Sequence, residues 1–284
     1  MIKHSLQITV FSFLSFLLGC GDNTMTNLST NLQSNTISAK DWDTLSKKKI
    51  YFGHMSVGYN IIDGIKDIMK INPNIKLNIH ETTDIINVNN GIFAHSKNGE
   101  NIKLKTKVDA FIKTMDNGLG KKVNIAFFKF CYMDIDDTTD VNDIFNYYKS
   151  SMVALKNKYP HVAFLHMTVP LTSEGGLLGL KIKIKDFIKN FPGRPAKEKQ
   201  NAISNIKRNE FNTLLRKEFN KEYIIDLEEF ESTNIDGKRC VSKKGGAKDY
   251  YMAPAYTFDG GHLNQLGRML VADKILAQLA GIKL

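Results

Sequence analysis

Five apolar runs rich in β-branched and aromatic residues alternate with segments of helical periodicity along this chain. The runs are KKKIYFGH, NIKLNIHETT, KVNIAFFKFCYMDI, HVAFLHMTVPLT and EYIIDLEEF. After the first run, apolar residues recur at helical spacing over 57–71. Strands separated by helices form βαβ units, in which strands are parallel and helices cover the sheet. The alternation therefore predicts an α/β fold, a three-layer α/β/α sandwich with a five-stranded parallel sheet.

Composition narrows the class of protein further. The 284 residues are 42% hydrophobic and 24% charged, which is enough for one large domain. Lys and Arg exceed Asp and Glu by 10, but the excess is Lys spread through almost every segment. No Arg-rich stripe with interleaved aromatic residues is present, so the charge predicts a Lys-rich surface and no nucleic-acid partner.

The N-terminus has the pattern of an export signal. Residues 1–19 combine a basic start with an apolar core that is short for a membrane span. The run LLGC resembles a bacterial lipobox, which implies cleavage before Cys20, lipidation of its thiol and a membrane anchor. The residue after the Cys is Gly21 and not Asp, which resembles the sorting signal for the outer membrane in a diderm cell. Residues 20–44 predict a flexible tether and residues 45–284 the domain; a plain signal peptide with a chance Cys is the alternative.

In open parallel sheets, ligands bind at the carboxyl ends of the strands. Several chemically active residues follow the predicted strands at this edge. They are Ser56, Gly91, His95, Cys131 to Asp134, His166, Thr168, Asp259 and His262.

Ser56 follows the first strand in YFGHMSVGYN and precedes a helical pattern. One interpretation is a helix N-cap, because a serine oxygen accepts a backbone N–H there. The other is a catalytic nucleophile on a strand-to-helix turn. The local spacing alone favours the cap.

The stretch YTFDGGHLNQLG supplies the partners that a nucleophilic serine needs. Asp259 and His262 are three residues apart, and two glycines between them permit a tight turn. A general base must take the serine proton, and an acid must orient that base. Alone, Asp259 is read as a turn or capping residue and His262 as a structural histidine. With Ser56 at the same sheet edge, the three together favour a catalytic triad.

The blocks GHMSVG and DGGHLNQLG resemble those of the SGNH/GDSL hydrolases over roughly residues 48–280. The resemblance implies a flavodoxin-like sheet, Ser56 as nucleophile, His262 as base and Asp259 as its orienting acid. It also implies an oxyanion hole made by the Ser56 N–H and Gly91. The family's third donor, an Asn, has no counterpart here, because Cys131 stands nearest its position. The candidate replacements are Asn98, His95, His54 and Tyr132.

These features predict a serine ester hydrolase that works through an acyl-enzyme outside the cytoplasm. An O-acylated carbohydrate fits the predicted location, and no cofactor or metal is implied. Acyl transfer to an alcohol uses the same intermediate and stays open, as does the oligomeric state. The alternative is a non-catalytic surface-binding lipoprotein on a degenerate scaffold, which the missing Asn favours.

The sequence also offers two rival sites. His54, His95, His166 and His262, with Asp134 and Asp259, map to one edge and form a rival metal site, although their spacing matches no metal motif. Cys131 is a rival nucleophile without a signal of activation.

An exported compartment permits a Cys131–Cys240 disulfide, but two free thiols fit equally well. The long segments that follow the fourth and fifth predicted strands are expected to wall the pocket. Tyr250 and Tyr251 are the expected stacking surfaces there.

Overall fold

Helices and parallel strands alternate through the computed structural model of the chain. The structure describes residues 38–72, 75–85, 91–174, 197–242 and 249–283, without the side chains of 197–202. The strands are β1 (Lys49–His54), β2 (Ile79–Glu81), β3 (Ile92–Lys97), β4 (Ile125–Phe128), β5 (Ala163–Phe164), β6 (His166–Met167) and β7 (Ile224–Ile225). The helices are α1 (Ala39–Ser46), α2 (Val57–Ile71), α3 (Leu104–Asp116), α4 (Val141–Lys158), α5 (Lys197–Glu218), α6 (Leu227–Ser232) and α7 (Gln265–Gly281).

The main sheet has five parallel strands in the order β2-β3-β1-β4-β5. β6 continues β5 after Leu165, whose N–H donates to Ala126 O, and pairs with β7 in a parallel ladder. If β5 and β6 count as one interrupted strand and the short edge strand β2 is set aside, the order is 2-1-3-4-5. That is the flavodoxin-like order, and the predicted fold class is confirmed.

Two apolar clusters cover the two faces of the sheet. Alternate residues of β1 separate them: Ile50 and Phe52 face α2 and α7, whereas Tyr51 faces α3, α4 and α5. This alternation follows from the two-residue period of a strand. The helices on each face bury their apolar stripes against it, which gives the three-layer sandwich.

Three predictions of local structure, one loop and two strands, differ from the structure. The stretch 87–103 reads as a loop, yet it contains β3, which pairs with β1 along its whole length. The run NIKLNIHETT forms only the three-residue edge strand β2, and EYIIDLEEF forms the two-residue β7 followed by the helix α6. The sheet therefore has the predicted number of strands with a different membership.

The N-terminal predictions fall mostly outside the described residues. These are the signal peptide, Cys20 and the tether up to residue 37. Residues 39–44 of the predicted tether are helical instead, because Ser38 and Asp41 form a capping box at the start of α1. No helix in the described part of the chain is long and apolar enough to cross a membrane.

Helix α5 buries a polar stripe beside its apolar one. The stripe consists of Ser204, Asn205, Arg208, Asn209 and Asn212, each at most 4% exposed. Asn205 and Asn212 bond the backbone at 172 and 169, in the segment that follows β6. The helix therefore holds that segment in place at the carboxyl edge of the sheet.

Candidate active site

Ser56 lies between β1 and α2, where the connections from β1 and β3 run to opposite faces of the sheet. Its backbone has φ +46° and ψ −105°, an uncommon conformation for a residue with a Cβ. Ser56 occupies the N-cap position, but its side chain makes no capping hydrogen bond. Its Oγ lies 2.5 Å from His262 Nε2 instead. The N-cap interpretation of Ser56 is therefore wrong.

Asp259 completes a hydrogen-bonded chain with Ser56 and His262. His262 Nδ1 lies 2.6 Å from Asp259 Oδ2, on the opposite side of the ring from Ser56. A carboxylate accepts a hydrogen bond from Nδ1–H, which leaves the Nε2 lone pair facing the serine hydroxyl. This is the hydrogen-bonding arrangement in which a histidine can take a serine proton.

The turn between Asp259 and His262 requires both of its glycines, for different reasons. Gly260 has φ +86°, a conformation that side chains rarely adopt. At Gly261, a Cβ would lie 2.7 Å from the ring of Tyr132, so the close approach of that ring excludes a larger residue. The turn is closed by a bridge between Thr257 and Leu263.

The carboxylate of Asp259 is stabilised in its charged form. Burial alone would raise its pKa, but N–H donors from His262 and Gly261 and the His262 ring lower the pKa to about 2. The two backbone bonds to Oδ1 measure 2.7 and 2.9 Å. The side chains of His262 and Asp259 are 42% and 56% exposed, so solvent and small molecules can reach the pair.

Tyr132 is the predicted oxyanion donor that lies beside the triad residues. It follows β4, and its ring meets the ring of His262 edge-on with centroids 5.7 Å apart. Burial, followed by the nearby charge of Asp259, raises the pKa of Tyr132. Its hydroxyl therefore keeps its proton at neutral pH and stays a donor.

The prediction that Gly91 serves the oxyanion hole is wrong. Gly91 precedes β3, whose first residue Ile92 pairs with Lys49, at the amino edge of the sheet. Ser56 lies beyond the carboxyl end of β1, six strand residues away, or roughly 20 Å at 3.3 Å per residue. A Cβ at Gly91 would lie 2.0 Å from Ser46 O, so this glycine serves the packing of α1.

Asn98 lies at the carboxyl end of β3, as an oxyanion donor would have to. One N–H of its amide donates to Lys107 O at 2.9 Å, and its Oδ1 is buried without a partner in the described residues. Gly99 follows with φ +65°. The NG dipeptide after the apolar run IFAH was the sequence signal for this strand end.

His54 and His95 form a buried pair beneath α2. His54 Nε2 lies 3.0 Å from His95 Nδ1, and Tyr59 meets the His54 ring edge-on at 4.7 Å. Burial, then Lys129 and His95, lowers the pKa of His54 to about 2, so its ring is neutral. A Cβ at Gly58 would lie 2.3 Å from the His54 side chain. The two rings contact each other and Tyr59, and the His54 ring also contacts Phe52.

The histidines of the rival metal site do not converge. His166 Nδ1 bonds the Tyr148 hydroxyl at 2.9 Å, and its ring stacks on Phe219 at 3.5 Å, on the face of α4 and α5. Within the described residues, no group of three or more His, Cys, Asp or Glu could hold a metal ion.

Cys131 and Cys240 are both buried and free, so the structure has the two free thiols and not the disulfide. The ring of Tyr250, an expected stacking surface, is covered by Arg239 at 3.5 Å. The segment 175–196 and residues 243–248, which were expected to wall the pocket, lie outside the described residues.

Three buried ionisable residues near this edge have no sequence signal. Lys129 and Arg208 are 1% and 3% exposed, and Glu231 is fully buried. Burial lowers the pKa of Lys129 and raises that of Glu231. One oxygen of Glu231 accepts from the Leu171 N–H, and the other has no partner in the described part of the chain. Such groups concentrate at functional sites.

Comparison with known proteins gives only distant structural likenesses. No family model matches the chain, and no curated protein matches it. A Streptococcus pneumonia protein provisionally described as a platelet activating factor superposes with a TM-score of 0.44 and 13% identity, over 91% of this chain and 92% of that one. The periplasmic domain of a Salmonella ser. Paratyphi A lipopolysaccharide acetyltransferase gives a TM-score of 0.43 and 13% identity, over 91% and 96%. Likenesses of this size say nothing about activity.

Proposed function

We propose that this chain is a serine ester hydrolase of the SGNH type that works through an acyl-enzyme. The observation that carries the proposal is the hydrogen-bonded chain from Ser56 through His262 to Asp259. A serine that only capped a helix would direct its oxygen at the helix, but Ser56 directs it at a histidine whose other nitrogen faces a carboxylate.

In the proposed reaction, Ser56 Oγ attacks the ester carbonyl while His262 Nε2 takes its proton. Asp259 holds the Nδ1–H and stabilises the imidazolium that forms. His262 then gives the proton to the leaving alcohol, and the acyl group remains on Ser56. Water then attacks the acyl carbon while His262 takes its proton, the bond to Ser56 Oγ breaks, and His262 returns the proton to Ser56 as the acid leaves.

The developing oxyanion needs donors at the same edge. The Ser56 N–H has no protein acceptor within the described residues and lies at the start of α2. The Tyr132 hydroxyl is our proposed second donor, because the ring packs against the turn that carries His262. A tyrosine would thus take the position for which the family uses an amide.

Location and substrate rest on the sequence. The lipobox-like LLGC supports export and an anchor at Cys20, and an O-acylated carbohydrate or another small ester at the cell envelope fits that address. Cys20→Ala should release the protein from membranes or leave it unprocessed. Unchanged fractionation and lipid labelling would contradict the anchor without touching the proposed chemistry.

The catalytic proposal is tested by labelling the soluble domain with a serine-directed fluorophosphonate and assaying a panel of esters. Wild type should be labelled at Ser56. Ser56→Ala and His262→Ala should each lose several orders of magnitude in kcat, and the double variant should be scarcely worse because the residues act as a unit. Asp259→Asn should lose less than either.

Ser204→Ala is a matched control, because Ser204 is buried in α5 and absent from the proposed mechanism. Full activity without Ser56, or labelling at another residue, would refute the assignment. Absence of both labelling and hydrolysis would favour the binding-lipoprotein alternative instead.

A further inference from the structure

Arg208 differs from the other arginines with described side chains in having no acidic partner. Arg216, Arg239 and Arg268 each lie within 4.0 Å of a carboxylate: Arg216 of Asp226 and Glu228, Arg239 of Glu228, and Arg268 of Asp67. Arg208 is the most buried of the four at 3% exposure, yet no described carboxylate lies within that distance. Burial makes an unpaired charge costly in free energy, so Arg208, the most buried of the four, is the one that most needs a partner.

The polar contacts of Arg208 are all with neutral acceptors. Nε donates to Ile135 O at 3.1 Å, and Nη1 donates to Thr172 Oγ1 at 3.0 Å and Asn205 Oδ1 at 2.8 Å. Nη2 has no hydrogen-bond partner in the described part of the chain. These contacts orient the guanidinium but give it no paired carboxylate.

Asp134, Asp136 and Glu231 attract Arg208 from beyond bonding distance, and each of them bonds another group. Asp134 lies 2.5 Å from Lys107, and Asp136 accepts from the Thr138 hydroxyl at 2.7 Å. Burial raises the pKa of Glu231 well above its ordinary value, which favours the neutral form of its carboxyl. Burial also lowers the pKa of Arg208, but only to about 10, and the guanidinium remains cationic.

Two contacts connect Arg208 to the residues around His262. Its guanidinium carbon lies 5.9 Å from the centre of the Tyr132 ring, which packs against His262. Its partner Thr172 precedes Ser173, whose N–H donates to Gly260 O at 2.8 Å in the turn that carries Asp259. A guanidinium without a paired carboxylate is therefore held beside the proposed active site.

We propose that Arg208 binds an anionic group of the substrate, so that the natural ester carries a carboxylate or phosphate close to its scissile bond. The proposal rests on the proposed function and names a substrate class for it. A guanidinium forms charge-assisted, bidentate bonds with either group. Binding would pair the guanidinium directly with an anion and give Nη2 an acceptor.

The test compares wild type, Arg208→Gln and Arg208→Lys on three esters. They are neutral 4-nitrophenyl acetate, 4-nitrophenyl hydrogen succinate with a carboxylate in the acyl part, and 4-acetoxyphenyl phosphate with a phosphate in the alcohol part. We expect one anionic ester to lose about 10- to 100-fold more kcat/KM than the neutral ester in Arg208→Gln, the range for a bond to a charged group. Arg208→Lys should recover part of that loss. The ester affected tells which part of the substrate carries the charge.

Arg239→Gln is the matched control, since Arg239 stacks on Tyr250 much as Arg208 faces Tyr132, but is paired with Glu228. It should leave the ratio between anionic and neutral esters unchanged. Equal losses on all three esters in folded Arg208→Gln would overturn the proposal and make Arg208 a structural support. If Arg208→Gln does not fold, the same ratio in Arg208→Lys decides, with an unchanged ratio overturning the proposal.

Failure of this proposal and failure of the proposed function give different results. If the wild-type protein is labelled at Ser56 but prefers the neutral ester, the proposed hydrolase function is supported and the anion site is contradicted. If no ester is hydrolysed, calorimetric titration with succinate and with inorganic phosphate still tests Arg208. Binding that Arg208→Gln weakens at least tenfold supports the anion site, and no binding of either overturns it.

Discussion

Buried lysines at the two edges of the sheet have very different surroundings. At the amino edge, Lys48 is 4% exposed and donates to three carbonyls at the end of α7, those of Leu279, Ala280 and Ile282, at 2.7 to 2.9 Å. At the carboxyl edge, Lys129 is 1% exposed, and its Nζ bonds two groups among the described residues, Phe130 O at 3.2 Å and Cys131 Sγ at 3.5 Å.

The polar groups around these lysines differ in the same way. Lys48 complements the negative end of a helix and completes its hydrogen bonds. Near the carboxyl edge, His54 Nδ1, Asn98 Oδ1 and Glu231 Oε2 are buried without described partners, and Ser56 has a strained backbone. Polar groups at the amino edge therefore stabilise the fold. The unpartnered groups at the carboxyl edge are held at a cost in stability, as is usual where a protein binds or reacts.

The largest effect expected from this comparison is on rate, at the carboxyl edge. Tyr132→Phe removes the proposed oxyanion donor and keeps the ring that packs on Gly261. Loss of one such donor costs typically 10²–10³ in kcat, with little change in the free energy of unfolding. Steady-state kinetics and urea unfolding of the same preparation check both. A fall below threefold in kcat would remove Tyr132 from the mechanism.

A loss of stability without loss of rate is expected at the amino edge. Lys48→Met leaves three buried carbonyls without their donor and should lower the free energy of unfolding by about 3 kcal/mol. Lys129→Met removes a poorly paired buried charge and should cost less than about 1 kcal/mol, or stabilise. Urea midpoints at constant slope measure both changes. Exposed Lys47, paired with Asp43, is the control, and Lys47→Met should change little.

Equal losses for Lys48→Met and Lys129→Met would contradict the contrast between the two edges.

Acid should destabilise the fold through neutral buried histidines. Burial is the main cause that lowers the pKa of His54 to about 2 and the pKa of His166 to about 3. Below pH 6.5 these histidines bind protons in the unfolded chain but not in the folded protein, so the free energy of unfolding falls as pH falls. The slope is about 1.4 kcal/mol per pH unit for each histidine, or about 2 kcal/mol each between pH 6.5 and 5.

Urea unfolding at several pH values between 7 and 5 measures this slope. His166→Asn should reduce it by the share of one histidine, although the substitution also lowers stability at pH 7. A flat profile over this range would show that the rings are not neutral in the folded state.

The smallest effect separates two residues at helix starts. Asn264 caps α7, with its Oδ1 accepting from the Gly267 N–H at 3.0 Å, whereas Ser56 caps nothing. Asn264→Ala should cost about 1 kcal/mol. Ser56→Gly should cost nothing or stabilise by up to about 1 kcal/mol, because glycine tolerates a φ of +46°. Thermal unfolding ranks the two variants, and a cost at Ser56 equal to that at Asn264 would restore the capping interpretation.

The sequence predicted the α/β/α layers because apolar alternation is a strong local signal. It also predicted that Asp259 and His262 issue from one turn and meet Ser56, since both blocks follow strands at one edge. It misplaced Gly91 because the strand Ile92–Lys97 is followed by polar residues and sits in an Asn-rich stretch, which reads as a loop. An error in one strand moved the glycine to the wrong end of the sheet.

Arg208 could not be found from the sequence for a different reason. It belongs to a polar stripe of α5 that has the spacing of a solvent-facing surface, yet the structure buries the whole stripe against the segment that follows β6. Which polar face of a helix is buried depends on the hydrogen bonds of distant backbone. Periodicity carries no information about those bonds.

The contact between Gly58 and His54 couples the side chains that the two positions can accept. A methyl group at Gly58 would overlap the His54 side chain at 2.3 Å, so α2 can approach β1 only while position 58 lacks a side chain. A chain with a small residue in place of His54 could accept side chains at position 58. A chain that keeps the histidine could not. Covariation of these two sites, rather than invariance of either, is the trace this packing should leave among related sequences, and His54→Ala should make an otherwise forbidden Gly58→Ala tolerable.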